Sequence, residues 1–249
     1  MYPEDKIRRE FREFHILLRS VPATALTFFV VSVILMNLLA NKELDLGVSW
    51  LALDCGFSVS WMGFLAQDMI TKRFGAKASI EISLFALAVN LFISGLLYLI
   101  MKLPGNWGAY YTNQSNIAND ALHETFGGTW YVVFGSATAF IVSAIVNSIL
   151  NEKIGKKLKK NNFAAFAIRS YISTFIGQFI DNMIFALIVS YTFFGWSMLQ
   201  VIMCSLTAGI FELLCEVIFS PFGYNANKAW ERDHVGEYYL QYKVANKIS

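Results

Sequence analysis

The sequence predicts an all-α membrane protein, a six-transmembrane-helix bundle with both termini in the cytoplasm. Composition, the lengths of the apolar segments and the placement of Lys and Arg all lead to this fold class. Hydrophobic residues make up 56% of the 249 residues and charged residues only 15%, whereas a soluble domain carries about 25% charged residues. This composition excludes a soluble enzyme, a nucleic-acid-binding protein and a disordered chain.

Six apolar segments each come close to the roughly 20 residues that a helix needs to cross the hydrocarbon core. Their backbone amides must bond within each segment because lipid offers no partners, so all six are predicted to be helices. The predicted spans cover residues 22–41, 48–70, 80–101, 130–150, 171–194 and 197–220. Gly75 and Gly155 are predicted to end helices, and Pro221 is predicted to close the last span.

The basic residues predict the orientation of these spans. All Lys and Arg residues except Lys42 and Lys102 lie in or beside the two terminal segments, the second-to-third connection and the fourth-to-fifth connection. Because cytoplasmic loops carry an excess of Lys and Arg, both termini are predicted to be cytoplasmic. The predicted organisation is a cytoplasmic amphipathic segment over residues 1–20, a six-helix transmembrane domain over 21–222 and a cytoplasmic tail over 223–249.

One long connection, residues 103–129, is predicted on the external side. Residues 119–127 within it are predicted to form a short amphipathic helix that ends at Gly127 and Gly128. Two interpretations of this connection stay open, a lid over a binding site and a belt of aromatic side chains at the membrane interface.

Five carboxylates fall inside the predicted spans, where ionisable groups are costly and usually face a cavity or a partner. They are Asp54, Asp68, Asp181, Glu212 and Glu216. Asp68 lies four residues before Lys72, and this spacing predicts an ion pair at the membrane interface. Glu212 and Glu216 lie one turn apart on one helical face, where two carboxylates repel, so we expect at least one of them to be protonated.

These polar groups predict a substrate-binding cavity inside the bundle, with interhelical hydrogen bonds as the structural alternative. Gln178, Asp181 and Asn182 share one face of the fifth span. The predicted binding residues are Asp54, Trp61, Asn90, Gln178, Asp181, Asn182, Glu212 and Glu216, and further candidates for aromatic walls are Phe57, Phe185 and Tyr191. A carboxylate can accept two hydrogen bonds from the amino–imino edge of a guanine-like ring, and aromatic faces attract a cationic substituent.

No enzyme motif accompanies these groups. The sequence has no zinc-protease, serine-hydrolase or phosphate-loop pattern and no Cys/His metal spacing, and its three histidines lie outside the spans. We therefore expect no catalytic residues, no cofactor and no metal. The function that these observations favour is transport without a built-in ATPase. Glu212 or Glu216 would then receive a positive group of the substrate or exchange a proton, so proton coupling stays open.

Three segments resemble the queuosine precursor transporter family, also called the VUT family. They are residues 37–42, 64–77 and 173–181, and the resemblance covers roughly residues 37–224. It implies a six-helix importer of deazaguanine bases, the precursors of the tRNA nucleoside queuosine. Asp68, Gly75, Gln178 and Asp181 match motif positions of that family. The sequence departs from the family pattern at Ser60–Trp61, at Asn147 and at Glu212, where many members have Lys, and this affects the substrate that is inferred.

Two other functions stay open. One is a substrate-capture subunit of an energy-coupling-factor type importer of a vitamin or nucleobase, which would bind ATPase partner subunits. The other is a membrane-embedded enzyme that uses Glu212 and Glu216 on a lipid. We expect a small-molecule substrate and the lipid bilayer as partners, no nucleic acid, and either a monomer or a homodimer.

Overall fold

The fold is helical almost throughout the computed structural model, which describes residues 3–44, 46–51, 53–108, 116–127, 130–158 and 162–246. The helices are α1 (Pro3–Ser20), α2 (Ala23–Leu39), α3 (Phe57–Phe74), α4 (Ala76–Met101), α5 (Asn116–Gly127), α6 (Trp130–Lys157), α7 (Phe163–Phe185), α8 (Met198–Arg232) and α9 (Glu237–Ala245). A π-helical segment, Ala186–Tyr191, continues α7, and two short strands, β1 (Glu43–Leu44) and β2 (Leu53–Asp54), pair antiparallel.

Several of these helices are long and apolar enough to cross a membrane. Within the described residues, α4, α6, α7 with its π-helical continuation, and α8 meet this criterion. Helix α2 has 17 residues and meets it only together with α1, from which it is bent by 103°. The protein is therefore an all-α, multi-pass membrane protein, and the count of six spans stays a prediction.

The helix predicted for the second span begins later than predicted. Strands β1 and β2 pair with Glu43 opposite Asp54, and α3 starts only at Phe57. The Asp54 carboxylate accepts a hydrogen bond from the Gly56 backbone N–H at 2.8 Å, which stabilises the turn into α3. The apolar run from residue 48 predicts a helix there, because hydropathy alone does not distinguish a strand pair from a helical turn.

Of the three predicted helix ends, the structure confirms one. Gly75 separates α3 from α4 with a φ of 95°, a conformation that glycine adopts without strain. Gly155 lies inside α6, where a Cβ would come within 2.6 Å of the Arg169 guanidinium, so this glycine permits a close side-chain approach instead of ending the helix. The prediction for Gly155 is wrong for this reason.

Pro221 does not close the last span, because α8 continues through it to Arg232. A proline inside a helix leaves the carbonyl four residues earlier without its usual N–H donor. The Ser220 hydroxyl donates to that carbonyl, Val217 O, at 3.1 Å and so replaces the lost hydrogen bond. The boundary predicted at residue 222 consequently falls within a continuous helix.

Other helix ends follow local capping chemistry. Helix α5 (Asn116–Gly127) confirms the short helix predicted over residues 119–127, and Gly128 lies outside the described residues. Its external placement stays a prediction. Helix α7 begins eight residues before the predicted span, where the Asn162 side chain accepts from the Ala165 N–H at 3.0 Å. Helix α8 begins after Ser197, which forms a capping box with Gln200.

Helix α3 occupies the centre of the bundle and contacts α2, α4, α6, α7 and α8. Its residues from Phe64 to Thr71 are all buried, including the polar Gln67 and Asp68. The outer helix faces carry apolar side chains instead, such as Phe92, Ile218 and Phe222, which are 70%, 68% and 73% exposed. This arrangement, polar inside and apolar outside, is expected of a protein whose surroundings are lipid and whose interior binds a polar ligand.

Candidate substrate cavity

A small cavity opens between α2, α3, α6, α7 and α8. The lining residues are Met36, Asn37, Ala40, Asp54, Gly56, Phe57, Ser60, Ser136, Asp181, Asn182, Phe185 and Glu212. Three of them are carboxylates, and none is Lys or Arg, so the cavity favours a cationic or donor-rich ligand.

Glu212 is the most enclosed of the three carboxylates, at 1% exposure. Its oxygens accept hydrogen bonds from the Ser60 hydroxyl on α3 and from Asn182 Nδ2 on α7, the latter at 3.2 Å. With its amide turned so that the nitrogen faces Glu212, Gln178 donates a third hydrogen bond, at 2.8 Å to Oε2. Glu212 therefore orients the two α7 amides at the base of the cavity.

Asp181 and Asp54 have fewer protein donors than Glu212. Asp181 Oδ1 accepts from the Ser143 hydroxyl on α6 at 2.6 Å, and Asp54 Oδ1 accepts from the Gly56 N–H at 2.8 Å. A carboxylate offers about four acceptor positions, so both residues keep capacity for a ligand. These two side chains can accept hydrogen bonds from a bound molecule without losing the contacts that hold them.

The aromatic walls differ from the predicted set. Phe57 and Phe185 line the cavity, and Phe57 packs edge-on against Phe211 with ring centroids 4.8 Å apart. Trp61 lies away from the cavity lining, stacked on Phe219 at 4.3 Å, with its Nε1 donating to Ser58 O. Tyr191 lies in the π-helical segment and is 48% exposed.

Asn90 lines a second cavity between α2, α4, α5 and α6. The two cavities share Asn37 and Ser136, and the Ser136 hydroxyl donates to Asn37 Oδ1 where they meet. Thr125, Phe126 and Gly127 of α5 also line this second cavity. The predicted external helix thus covers the chamber that adjoins the acidic cavity.

Glu216 lies in a separate buried cluster and does not form a pair with Glu212. Ser170 Oγ lies 2.6 Å from Glu216 Oε1 and also contacts Asp68 Oδ2. Asp68 further accepts from Asn147 Nδ2 at 2.9 Å and from the Thr174 hydroxyl at 3.2 Å. The carboxylates that face each other are therefore those of Asp68 and Glu216.

The predicted ion pair between Asp68 and Lys72 is wrong. Lys72 Nζ lies 5.2 Å and 5.1 Å from the ring centroids of Phe166 and Tyr224 and 4.0 Å from Glu231. Hydroxyl and amide donors from α6 and α7 surround Asp68 instead. These donors come from residues distant in sequence, so spacing along one helix did not reveal them.

The structure thus brings Asp54, Asp181, Asn182 and Glu212 to one cavity and links Gln178 to it through Glu212. Asn90, Trp61 and Glu216 lie elsewhere. Sequence reasoning missed the hydroxyl groups that hold the carboxylates, Ser60, Ser143 and Ser170. A serine destabilises an apolar helix only slightly. Its presence in the sequence therefore does not indicate a functional contact until its hydrogen-bond partner is known.

The chain matches the family described as "Putative vitamin uptake transporter" over residues 54–226. This match spans more than half of the sequence, so the chain belongs to that family, and the predicted family resemblance is confirmed. The matched region includes all three carboxylates of the cavity. No curated protein and no solved structure matches the chain.

Proposed function

We propose that this protein imports a deazaguanine base, a precursor of queuosine, across the cell membrane without an ATPase of its own. The observation that carries the proposal is the cavity that Asp54, Asp181 and Glu212 line together with Phe57 and Phe185. A deazaguanine offers a flat ring for Phe57 and Phe185 and a row of N–H donors for the carboxylates.

Asp181 is the residue best placed to bind the donor edge of the ring. Its contact with Ser143 holds the carboxylate in position and occupies one acceptor position only. Asn182 and Gln178, both oriented by Glu212, supply further polar groups for the ring. Asp54, across the cavity, would receive a positively charged substituent.

The contacts of the terminal helices support the predicted orientation. Helices α1 and α9 pack against each other, so the two ends of the chain lie on the same side of the bundle. Basic residues gather at that side: Lys77 pairs with Glu13 of α1 at 2.8 Å, and Arg73 donates to Val235 O. By the positive-inside rule this side is cytoplasmic.

The test is a thermal unfolding series on the purified protein. The ligands are queuine, the cyano and aminomethyl deazaguanines, guanine, biotin and riboflavin. A ligand present at a hundred times its dissociation constant stabilises the fold by about 2.7 kcal/mol, enough for a measurable rise in Tm. We expect a rise with at least one deazaguanine, a smaller rise with guanine, and a smaller rise with the same deazaguanine in Asp181→Asn.

The family description favours a second candidate, capture of a vitamin for an energy-coupling-factor type importer. A rise in Tm with biotin or riboflavin alone would support that candidate and contradict the first. Uptake by proteoliposomes that contain only this chain separates the two mechanisms, since a capture subunit needs its ATPase partners. No rise with any of these ligands would contradict both substrate classes.

A further inference from the structure

A second layer of buried polar residues lies below the cavity on the same four helices. The cavity layer comprises Ser60, Ser143, Gln178, Asp181, Asn182 and Glu212, and the second layer comprises Gln67, Asp68, Asn147, Ser170, Thr174 and Glu216. On α6 and α8 the two layers are one turn apart, about 6 Å along the axis, and on α3 the spacing from Ser60 to Asp68 is about 12 Å.

In the second layer, Ser170 contacts two carboxylates but has only one hydrogen to donate. Ser170 Oγ lies within hydrogen-bond distance of Asp68 Oδ2 and of Glu216 Oε1, the latter at 2.6 Å. A hydroxyl has one hydrogen and can donate to only one of these two oxygens. The other contact is a hydrogen bond only if that carboxyl carries a proton and donates to Ser170 Oγ.

The second layer also contains buried acceptor oxygens without a hydrogen-bond partner, which a proton or a cation would satisfy. Glu216 Oε2 and Asn147 Oδ1 have no hydrogen-bond partner in the described chain, and both residues are 0% exposed. Two ionised carboxylates at this depth would each cost several kcal/mol in desolvation, in addition to their mutual repulsion. One bound proton removes the repulsion and the desolvation cost of the carboxylate that binds it.

Among the described residues, no basic side chain donates a hydrogen bond to either carboxylate. Arg169 on α7 attracts Asp68 through its charge, but its guanidinium donates to Asn151 Oδ1, at 2.8 Å. Lys72 on α3 reaches the rings of α7 and α8 near Glu231. Glu212 on α8 adds a further negative charge in the cavity layer, and Asn147 of α6 is neutral.

We propose that Asp68, Ser170 and Glu216 form a binding site for one exchangeable proton, which is the coupling ion of transport. The proton is held as the O–H of one carboxyl, which donates to Ser170 while Ser170 donates to the other. Its release leaves two facing carboxylates. The coupling role rests on the proposed function, but the existence of the proton site does not.

Infrared spectroscopy of the purified protein tests the proton site without any substrate. At neutral pH the wild-type protein should show a carboxylic-acid C=O band that shifts in heavy water. Glu216→Gln should lose the intensity of one carboxylic acid, because the new amide supplies the missing hydrogen. Asp68→Asn should lose the same intensity. The new amide then donates to Ser170, and Ser170 donates to the Glu216 carboxylate, which needs no proton of its own.

The control is Glu237→Gln, which removes an exposed carboxylate from α9 and should leave the band unchanged. Unchanged intensity in Glu216→Gln or in Asp68→Asn, with the far-ultraviolet circular dichroism of wild type, would overturn the proposal. If either variant fails to fold, the other still provides the test, and a wild-type protein without the band overturns it as well.

Proteoliposomes test the coupling, with the cyano deazaguanine as the probe. We expect an imposed pH gradient to drive accumulation by wild type, and Glu216→Gln to lose accumulation while it keeps exchange of internal for external probe. Accumulation driven by a sodium gradient instead would overturn the coupling role. Failure of exchange by wild type would contradict the proposed function, and the infrared result would still decide on the proton site.

Discussion

The carboxylates of the cavity are held by neutral donors and not by basic residues. Ser60, Gln178 and Asn182 donate to Glu212, and Ser143 donates to Asp181. Such donors compensate part of the desolvation of a buried carboxylate without cancelling its charge. The cavity therefore keeps the negative potential that a donor-rich ligand requires.

Asp181→Asn should weaken binding of the deazaguanine that stabilises wild type. Hydrogen bonds to a charged group contribute about 1.5–3 kcal/mol, so we expect the Kd to rise by at least tenfold. The fold should be retained because the amide oxygen can still accept from Ser143. Ligand titration of Tm measures the change, with the exposed Asp233→Asn as the control, and an unchanged Kd would contradict the assigned role of Asp181.

Ser60→Ala should lower the stability of the protein in the absence of any ligand. It removes a donor to the enclosed Glu212, and an unsatisfied buried group costs about 1–3 kcal/mol. Ser58→Ala, two residues earlier on the same helix, is the matched control because Ser58 is exposed and its hydroxyl donates to the nearby Cys55 carbonyl. Equal unfolding free energies for the two variants would show that Ser60 does not hold Glu212.

At the scale of the elements, Gly177 lets α7 lie close to α3 and α6. A Cβ at this glycine would lie 2.8 Å from Phe64 Cε1 and 3.0 Å from Asn147 Cβ. Both neighbours are parts of the buried centre, so they have little room to move away. The close approach of these helices brings Ser170 and Thr174 of α7 to Asp68 of α3.

Gly177→Ala should therefore destabilise the protein, by about 1–3 kcal/mol as in other overpacked cores. Gly95→Ala on α4 is the control, because a Cβ there meets no atom within 4 Å and alanine favours the helix. We expect it to leave stability unchanged or slightly raised. Unfolding in denaturant measures both variants, and a Gly177→Ala protein as stable as wild type would be inconsistent with this packing.

At the scale of the whole molecule, the terminal helices close one end of the bundle. Glu13 of α1 is 1% exposed and binds Lys77 at 2.8 Å, and Tyr239 of α9 donates to the same carboxylate at 3.4 Å. Burial, together with the negative charge of Glu13, raises the pKa of Tyr239 above its usual value. The phenol therefore stays neutral and keeps donating to Glu13.

Cysteine labelling tests the prediction that both termini lie in the cytoplasm. In a variant with Cys55, Cys204 and Cys215 replaced by Ala, single cysteines are introduced at the exposed Ile7, Tyr238 and Leu103. An impermeant maleimide added to intact cells should label only Leu103→Cys. Permeabilised cells should label all three, and labelling of Ile7→Cys in intact cells would place the N-terminus outside.

Hydropathy and charge in the sequence predicted much of the fold, including the start of α8 after Ser197, the end of α3 at Gly75 and the short helix α5. These features depend on local chemistry, namely apolar length, capping side chains and backbone freedom at glycine. The strand pair before α3 and the passage of α8 through Pro221 were not predicted, because each depends on contacts that the surrounding fold supplies.

Membership of the family and the acidic character of the interior were determined by the sequence alone. The tertiary structure decided which carboxylates meet: Asp54, Asp181 and Glu212 in the cavity, and Asp68 with Glu216 below it. Periodicity assigns a residue to a face of its own helix, but the rotation and height of neighbouring helices determine which faces come together. Those two quantities depend on packing across the whole bundle, and no single segment of the sequence encodes them.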